Sequence, residues 1–139
     1  MTLSIRNQLP GTVTEVRRGE VMATVEVRLT GGQNLTAAIT MEAVEQLGLA
    51  PGTPVHALVK STEVSVATGP VDGLSIRNRL RGTVTHLVLG AVMAVLKVSM
   101  EGGELTAVIT KDAAGDLGLF VGSEVVALVK STEVALSTA

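Results

Sequence analysis

The stretch LSIRNQLPGTVTEV at residues 3–16 occurs again, with four changes, as LSIRNRLRGTVTHL at residues 74–87. The stretch LVKSTEV also occurs twice, at residues 58–64 and at residues 128–134. Aligned over their whole length, the two halves of the chain are identical at 37 of 65 positions, and Asn34 has no counterpart. Internal identity of this extent indicates one module written twice.

The duplication predicts two small domains of similar length. We expect the first module to span residues 1–68 and the second to span residues 74–139. The segment between them, residues 69–73, reads Gly-Pro-Val-Asp-Gly. Because glycine and proline interrupt regular structure, this segment is predicted to be a short linker.

Each copy alternates apolar and polar residues over short runs, which is typical of half-buried β-strands. The clearest run extends from Val21 to Leu29 and places every second residue, beginning with Val21, on one apolar face. Turns at Gly19-Glu20 and Gly31-Gly32 separate this run from its neighbours. The predicted strands of the first copy are residues 3–5, 12–16, 21–29, 35–39, 54–60 and 64–66, and the second copy follows the same plan.

One short helix is predicted in each copy. In the first it runs from Met41 to Leu47, with Thr40 as its N-cap and Gly48 as its end. The second copy has the corresponding helix at residues 113–117, shortly after Thr110. Five or six short strands and one small helix per module indicate an all-β fold of two tandem, OB-fold-like, five-stranded barrels.

The composition excludes several classes of protein. The chain has no cysteine, so it contains neither disulfides nor thiolate metal sites. A net charge of −2 and a single aromatic residue, Phe120, leave neither the basic surface nor the stacking side chains of a nucleic-acid binder. No apolar run is long enough to span a membrane, and the start lacks the pattern of a secretion signal. A cytoplasmic protein is therefore expected, without nucleic-acid or membrane partners.

The small size of each module predicts association. A domain of about 60 residues buries only about 60% of the surface that its unfolded chain exposes. We therefore expect further burial, either between the two modules or between chains.

Few charged residues are retained between the two copies. Of the 11 basic residues, only Arg6 with Arg77 and Lys60 with Lys130 occupy matching positions. The set around them is rich in hydrogen-bond donors, which suits a tetrahedral dianion because such an anion offers only acceptors. Helix capping, and retention of residues by recent duplication alone, are the alternative explanations. This set also includes Ser4, Asn7, Thr36, Thr40, Ser61, Thr62 and Glu63, with their counterparts Ser75, Asn78, Thr106, Thr110, Ser131, Thr132 and Glu133.

Candidate catalytic and metal-binding residues are few. Neither His56 nor His86 is retained at the matching position of the other copy. Glu63 and Glu133 each directly follow a Lys-Ser-Thr segment and are interpreted as local charge partners. The chain also lacks a phosphate-binding GxxxxGK[ST] loop. We expect no enzyme activity, no metal ligated directly by the protein and no cofactor.

Three ordered segments resemble the molybdenum-pterin-binding (Mop) family, whose members are also called molbindins. In the first copy they are Ser4 to Val13, Leu35 to Thr40 and Leu58 to Val64, and the second copy repeats the pattern. The resemblance covers nearly the whole chain and is to the two-module type. It implies OB-like modules that assemble into rings and hold molybdate or tungstate at interfaces between modules, here in a homotrimer of six modules.

The resemblance also implies which residues contact the oxyanion. One site is expected to combine the Ser-Ile-Arg segment of one module with the Lys-Ser segment of another. A second kind of site near the assembly axis is implied, for which Asn7 and Asn78 are the candidates. Because the copies differ at positions such as Gln8 and Arg79, the two modules are expected to bind unequally. The implied oxyanion contacts are Ser4, the Ile5 backbone, Arg6, Thr40, Lys60 and Ser61 in the first copy, and Ser75, Ile76, Arg77, Thr110, Lys130 and Ser131 in the second.

The leading hypothesis is reversible storage of molybdate or tungstate in the cell, without covalent chemistry. Selectivity against the smaller sulfate ion is expected because rigid strands hold the donors apart. The alternative is an oxyanion-sensing module that regulates a partner protein. A nucleic-acid-binding OB fold is a third hypothesis, which the composition disfavours.

Overall fold

The computed structural model describes residues 1–138 and has two β-rich halves with the same order of elements. The elements of the first repeat are β1 (Asn7–Arg18), β2 (Met22–Leu29), β3 (Asn34–Thr40), α1 (Met41–Leu47), β4 (Pro54–Val59), a 3₁₀ turn (Ser61–Glu63) and β5 (Ser65–Ala67). Those of the second repeat are β6 (Asn78–Leu89), β7 (Met93–Met100), β8 (Gly103–Thr110), α2 (Lys111–Asp116), β9 (Glu124–Val129), a 3₁₀ turn (Ser131–Glu133) and β10 (Ala135–Ser137).

The strands form two five-stranded antiparallel sheets. The strand order is β10-β4-β1-β2-β3 in one sheet and β5-β9-β6-β7-β8 in the other. Each sheet curls until its two edge strands meet: β10 contacts β3, and β5 contacts β8. The prediction of two five-stranded, barrel-like units with one short helix each is confirmed.

The last strand of each repeat belongs to the sheet of the other repeat. In the first sheet, β10 pairs with β4, with Ala135 opposite Leu58. In the second sheet, β5 pairs with β9, with Ser65 opposite Leu128. Each sheet therefore takes four strands from one repeat and its fifth strand from the other, so neither sheet is complete without both repeats. The division into residues 1–68, 69–73 and 74–139 remains a prediction based on the repeats.

The first strand of each repeat is long enough to pair with two other strands. Strand β1 pairs with β4 through its first half and with β2 through its second, and the register shifts between Val13 and Glu15. Such a bulge bends a strand and increases its twist, as a curled sheet requires. Gly11 lies where both partners overlap, and a Cβ there would stand 2.6 Å from the Arg28 carbonyl oxygen. Gly82 has the same surroundings in β6.

The core is aliphatic and continuous across both repeats. One cluster of buried residues includes Val25 and Leu35 from the first repeat together with Leu96 and Leu105 from the second. Each helix adds one buried side chain, Val44 in α1 and Ala114 in α2. The burial that a single small module lacks is thus supplied in part by the other module, as the size of the modules predicted.

Several details of the sequence-based prediction were wrong. Val21 was expected on the buried face, but β2 begins at Met22 and the Val21 side chain is 73% exposed in the turn. A strand was expected at residues 3–5, whereas no strand begins before Asn7. The helix bounds in the first repeat agree with the prediction, and α2 begins two residues earlier than predicted and ends one residue earlier.

Two buried asparagines connect the repeats. The Asn7 amide donates from Nδ2 to the Thr106 carbonyl at 2.8 Å, and its Oδ1 accepts from the Thr106 N–H at 2.8 Å. Asn78 makes the equivalent pair of bonds with Thr36, at 2.8 and 2.7 Å. Each side chain is 2% exposed and imitates a neighbouring strand, so it satisfies both backbone groups of a residue in the other repeat.

Replacement of Asn78 by alanine is expected to destabilise the fold strongly. The Asn78→Ala variant leaves the N–H and C=O of Thr36 without their partner, which costs roughly 2–4 kcal/mol in the free energy of unfolding. Urea denaturation followed by circular dichroism measures this change. Asn34→Ala is the matched control, because Asn34 is exposed and its side chain makes no hydrogen bond within residues 1–138; it should cost less than about 0.5 kcal/mol. Equal losses in the two variants would contradict the assigned role of Asn78.

Candidate anion-binding site

The retained basic residues lie at the ends of two strand ladders. The last pair of the β1–β4 ladder is Asn7 opposite Val59. Arg6 directly precedes Asn7 and Lys60 directly follows Val59, so antiparallel pairing places both cations at the same end of the sheet. This arrangement uses residues that are 54 positions apart in the chain.

The second repeat builds the same arrangement. The last pair of the β6–β9 ladder is Asn78 opposite Val129, and it is flanked by Arg77 and Lys130. We refer to Arg6, Lys60, Arg77 and Lys130 as the ladder-end cations. The structure therefore brings together, within each repeat, the two basic residues that the sequence comparison singled out.

Within residues 1–138 the ladder-end cations have no acidic partner. All four are exposed. In the described part of the chain the ion pairs are Arg17 with Glu15 at 3.3 Å and Lys97 with Glu104 at 3.7 Å, and neither includes a ladder-end cation. Glu63 and Glu133, which the sequence suggested as local charge partners, form no ion pair there. Two like charges at one ladder end, without a carboxylate, leave a positive field that favours an anion.

A serine follows each ladder-end lysine and opens the 3₁₀ turn. The Glu63 N–H bonds to the Lys60 carbonyl at 2.9 Å, and Glu133 and Lys130 repeat this bond at 2.9 Å. The Ser131 hydroxyl oxygen is buried and has no partner within residues 1–138. A buried hydroxyl without a partner costs free energy, and it can recover that cost by donating to a ligand oxygen.

Each 3₁₀ turn contacts the opposite repeat. The turn at Ser61–Glu63 packs against β8, the strand that ends at Thr110. The turn at Ser131–Glu133 packs against β3, the strand that ends at Thr40. The candidate groups of one repeat thus lie against a strand of the other, and the asparagine bonds to β3 and β8 hold the two in register.

Thr40 and Thr110 act as helix caps. The Thr40 hydroxyl oxygen accepts from the Ala43 N–H at 3.1 Å, and Thr110 does the same for Ala113 at 3.1 Å. The Met41 N–H is also engaged, with the Val21 carbonyl at 2.8 Å. Because these first-turn N–H groups already have partners, the helix start offers an anion less than the sequence suggested. The hydroxyl proton of each threonine remains a donor.

The segments that lead into the first strands are held unequally. Ser4 and Ser75 are exposed, and Ile5 and Ile76 are half-buried, in irregular backbone before the ladders. Gln8 Nε2 donates to the Ile5 carbonyl at 3.0 Å, whereas its counterpart Arg79 donates to three carbonyls. Sequence reasoning noted the difference between Gln8 and Arg79 but missed what these side chains bond.

The four ladder-end cations are exposed at the surface. A cavity of about 600 Å³ in the second repeat is lined by residues that include Arg81, Glu101 and Glu124, and none of the predicted contact residues lines it. The side-chain amides of Asn7 and Asn78, the candidates for a second kind of site, are hydrogen-bonded to Thr106 and Thr36. Their part in such a site stays a prediction.

Residues 1–138 contain no cluster of three or more His, Asp or Glu side chains that could hold a metal ion. Over the same residues, no helix has the length and apolar character needed to cross a membrane.

Two curled sheets that exchange strands, with a repeated pair of cations at their ladder ends, define a duplicated β-barrel binding module. The family model described as the TOBE domain matches residues 3–66 and again residues 74–136. The chain belongs to the TOBE-domain family, in its duplicated molybdenum-pterin-binding (Mop) form.

Similar proteins cover the chain from end to end. The crystal structure of the cytoplasmic molybdate-binding protein ModG, with molybdate bound, matches it with a TM-score of 0.95 and 39% identity over 100% of both chains. Molybdenum-pterin-binding protein MopB of Rhodobacter capsulatus is 41% identical over 136 residues, which are 96% of this chain and 50% of MopB. Transcriptional regulator ModE of Yersinia pestis is 34% identical over 137 residues, which are 97% of this chain and 52% of ModE. The chain thus spans about half the length of these two relatives.

Removal of the Ser131 hydroxyl is expected to leave the ligand-free fold intact. Because this hydroxyl has no partner within the described chain, Ser131→Ala should change the free energy of unfolding by less than about 0.5 kcal/mol or raise it slightly. Thr110→Ala, which removes a cap bond in the same repeat, should lower it by about 1 kcal/mol. Thermal and urea denaturation without added oxyanion compare the two variants. A loss in Ser131→Ala as large as that in Thr110→Ala would mean that the fold uses the hydroxyl.

Proposed function

We propose that the chain binds and stores molybdate or tungstate reversibly, as an intact oxyanion, at sites built around the ladder-end cations. The observation that carries this proposal is the repeated arginine and lysine pair at the end of each ladder, which has no carboxylate partner in the described part of the chain. The likeness to ModG, a cytoplasmic molybdate-binding protein, supports both the ligand and a cytoplasmic location.

The donor set suits a tetrahedral dianion. Molybdate and tungstate present four acceptor oxygens and two negative charges, so they need donors and positive charge without an acceptor opposite. Arg6 and Lys60 supply both, and Ser61 and the Ser4-Ile5 segment add hydroxyl and backbone donors. Arg77, Lys130 and Ser131 do so in the second repeat. Each charge-assisted hydrogen bond contributes on the order of 1.5–3 kcal/mol.

Binding involves no covalent chemistry in this proposal. The oxyanion is held through its oxygens, so the metal centre needs no protein ligand and the ion can leave unchanged. Donors fixed at the ends of strand ladders cannot close around a smaller ion, and selectivity over sulfate follows from that spacing. Phosphate is disfavoured further, because it is partly protonated near neutral pH and its hydroxyl would face donors.

The sites are completed by neighbouring chains in this proposal. The ladder-end cations are exposed on an open surface, where water would screen a single layer of donors. A second protein surface placed over them would exclude water and add donors. The second repeat also exposes apolar residues at the β6–β7 hairpin, including Val88, Leu89 and Val92, which favours association. We propose a homotrimer of six modules.

A regulatory role is the second candidate function. Nearly the whole chain matches about half of the transcriptional regulator ModE. An oxyanion-binding unit of this kind can therefore be joined to a different activity in one protein. In that case binding of the oxyanion to this chain would change how it contacts a partner, and the same ladder-end cations would be the sensor.

Loss of the ladder-end cations is expected to weaken molybdate binding. Arg6→Ala and Lys60→Ala each remove one charged donor, so the affinity of the sites that contain them should fall roughly 10- to 100-fold. Isothermal titration with sodium molybdate measures this, with sulfate and phosphate as competing ions. Arg18→Ala is the matched control, because Arg18 is an exposed arginine at the other end of β1. Weakening in Arg18→Ala equal to that in Arg6→Ala would show that only general charge matters.

The mass of the assembly tests the interfacial sites. Light scattering of the purified protein is expected to give about three times the 14.2 kDa chain mass. Addition of molybdate should raise the temperature of dissociation, since a ligand bound between chains stabilises their association. A monomer that binds molybdate with full affinity would overturn the proposal that neighbouring chains complete the sites.

A further inference from the structure

Arg79 fastens the segment that leads into the second-repeat site. Its Nη2 donates to the Leu74 carbonyl at 2.7 Å, its Nη1 to the Val71 carbonyl at 2.8 Å and its Nε to the Ile76 carbonyl at 3.2 Å. These three acceptors come from the linker and from the segment that carries Arg77. One guanidinium thereby ties together a stretch of backbone that has no strand partner of its own.

We refer to the three hydrogen bonds of the Arg79 guanidinium as the Arg79 clamp. The backbone of Arg79 is held in the sheet. Arg79 lies in β6 opposite Leu128, between two buried neighbours, Asn78 and Leu80. Its Cα therefore cannot move without disturbing the ladder and the bonds between Asn78 and Thr36. Charge-assisted bonds from a paired strand to an irregular segment restrict the segment rather than the strand.

The first repeat lacks this clamp. Its matching residue, Gln8, makes one side-chain bond, to the Ile5 carbonyl at 3.0 Å. That bond corresponds to the bond between Arg79 and Ile76, so the additional bonds to Leu74 and Val71 are particular to the second repeat. The Leu-Ser-Ile-Arg-Asn segment itself, directly before Gln8 and Arg79, is identical in the two copies.

We propose that Arg79 is a positioning residue that holds Leu74 to Arg77 ready for the oxyanion, so that sites built on Arg77 bind more tightly than sites built on Arg6. This inference rests on the proposed function. A segment that is ordered before binding loses less conformational entropy when the ligand arrives, and the affinity rises accordingly. Arg79 itself does not contact the oxyanion in this scheme, because its guanidinium is directed to backbone carbonyls.

The test uses the full chain in a background that isolates the segment in question. In Arg6→Ala protein the sites built on Arg6 are weakened, so the tighter molybdate sites are those built on Arg77. Adding Arg79→Gln, which installs the residue of the first repeat, is expected to weaken these sites about tenfold. Arg79→Lys should weaken them similarly, because lysine keeps the charge but cannot bond three carbonyls in a fork. Isothermal titration with sodium molybdate gives both values.

Controls separate positioning from charge and from instability. Gln8→Ala in the Arg77→Ala background should change affinity less than about twofold, since one neutral bond is lost. Hydrogen exchange of the ligand-free protein should become faster at the Ser75 and Ile76 amides in Arg79→Gln, while the midpoint of thermal unfolding stays nearly constant.

Each outcome decides the inference. If Arg79→Gln keeps full affinity for molybdate, the inference is overturned. It is also overturned if Arg79→Gln weakens binding but Arg79→Lys does not, because charge alone would then account for the effect. Unchanged exchange at Ser75 and Ile76 also overturns it. If the parent chain binds no molybdate at all, the proposed function fails instead, and the exchange measurement still reports whether Arg79 orders the segment.

Discussion

Two side-chain amides, those of Asn7 and Asn78, each bond both backbone groups of a threonine in the opposite repeat. A primary amide presents a donor and an acceptor side by side, as a strand backbone does, so it extends the hydrogen bonding of one sheet to the next. The same asparagines close the strand ladders. The ladder ends, and with them Arg6 and Arg77, are therefore positioned by contacts between the repeats.

The exchange of final strands follows the same logic. Strands β5 and β10 each cross to the opposite sheet, and the 3₁₀ turns that precede them carry Ser61 and Ser131 against β8 and β3. Each 3₁₀ turn thus follows a strand of one sheet and contacts a strand of the other. Within this chain, each repeat therefore depends on the other for this arrangement.

Much of this fold could be predicted from the sequence, because alternation and capping are local signals. The helix at Met41–Leu47 needed only Thr40 and Gly48 at its ends. Val21 was misplaced because the alternation continues one residue past the ladder, into the turn. The strand expected at residues 3–5 has no partner, since the chain opposite it leaves the sheet at Lys60 for the 3₁₀ turn.

The strand exchange could not be predicted, because the short apolar sequences of β5 and β10 fit either sheet equally well. Which sheet each strand joins depends on how the repeats pack. The resemblance implied that one site combines the Arg and Lys segments of different modules; that Arg6 and Lys60 of one repeat lie at the same ladder end was not predicted, because it depends on the register of β1 against β4. Ser131 differs from Ser61 only in its surroundings, so no motif could single out its hydroxyl.

Duplication leaves the two repeats free to differ wherever the shared architecture is not involved. The residues that build the ladder ends are identical in both copies, whereas Gln8 and Arg79, one position beyond the asparagines, differ. Gln8 and Arg79 occupy equivalent places in their ladders, opposite Leu58 and Leu128, so their side chains bond different carbonyls while the pairing of the sheet is the same. Duplication therefore lets the side-chain bonds before the first strand differ between the repeats while the residues that fix the fold stay the same.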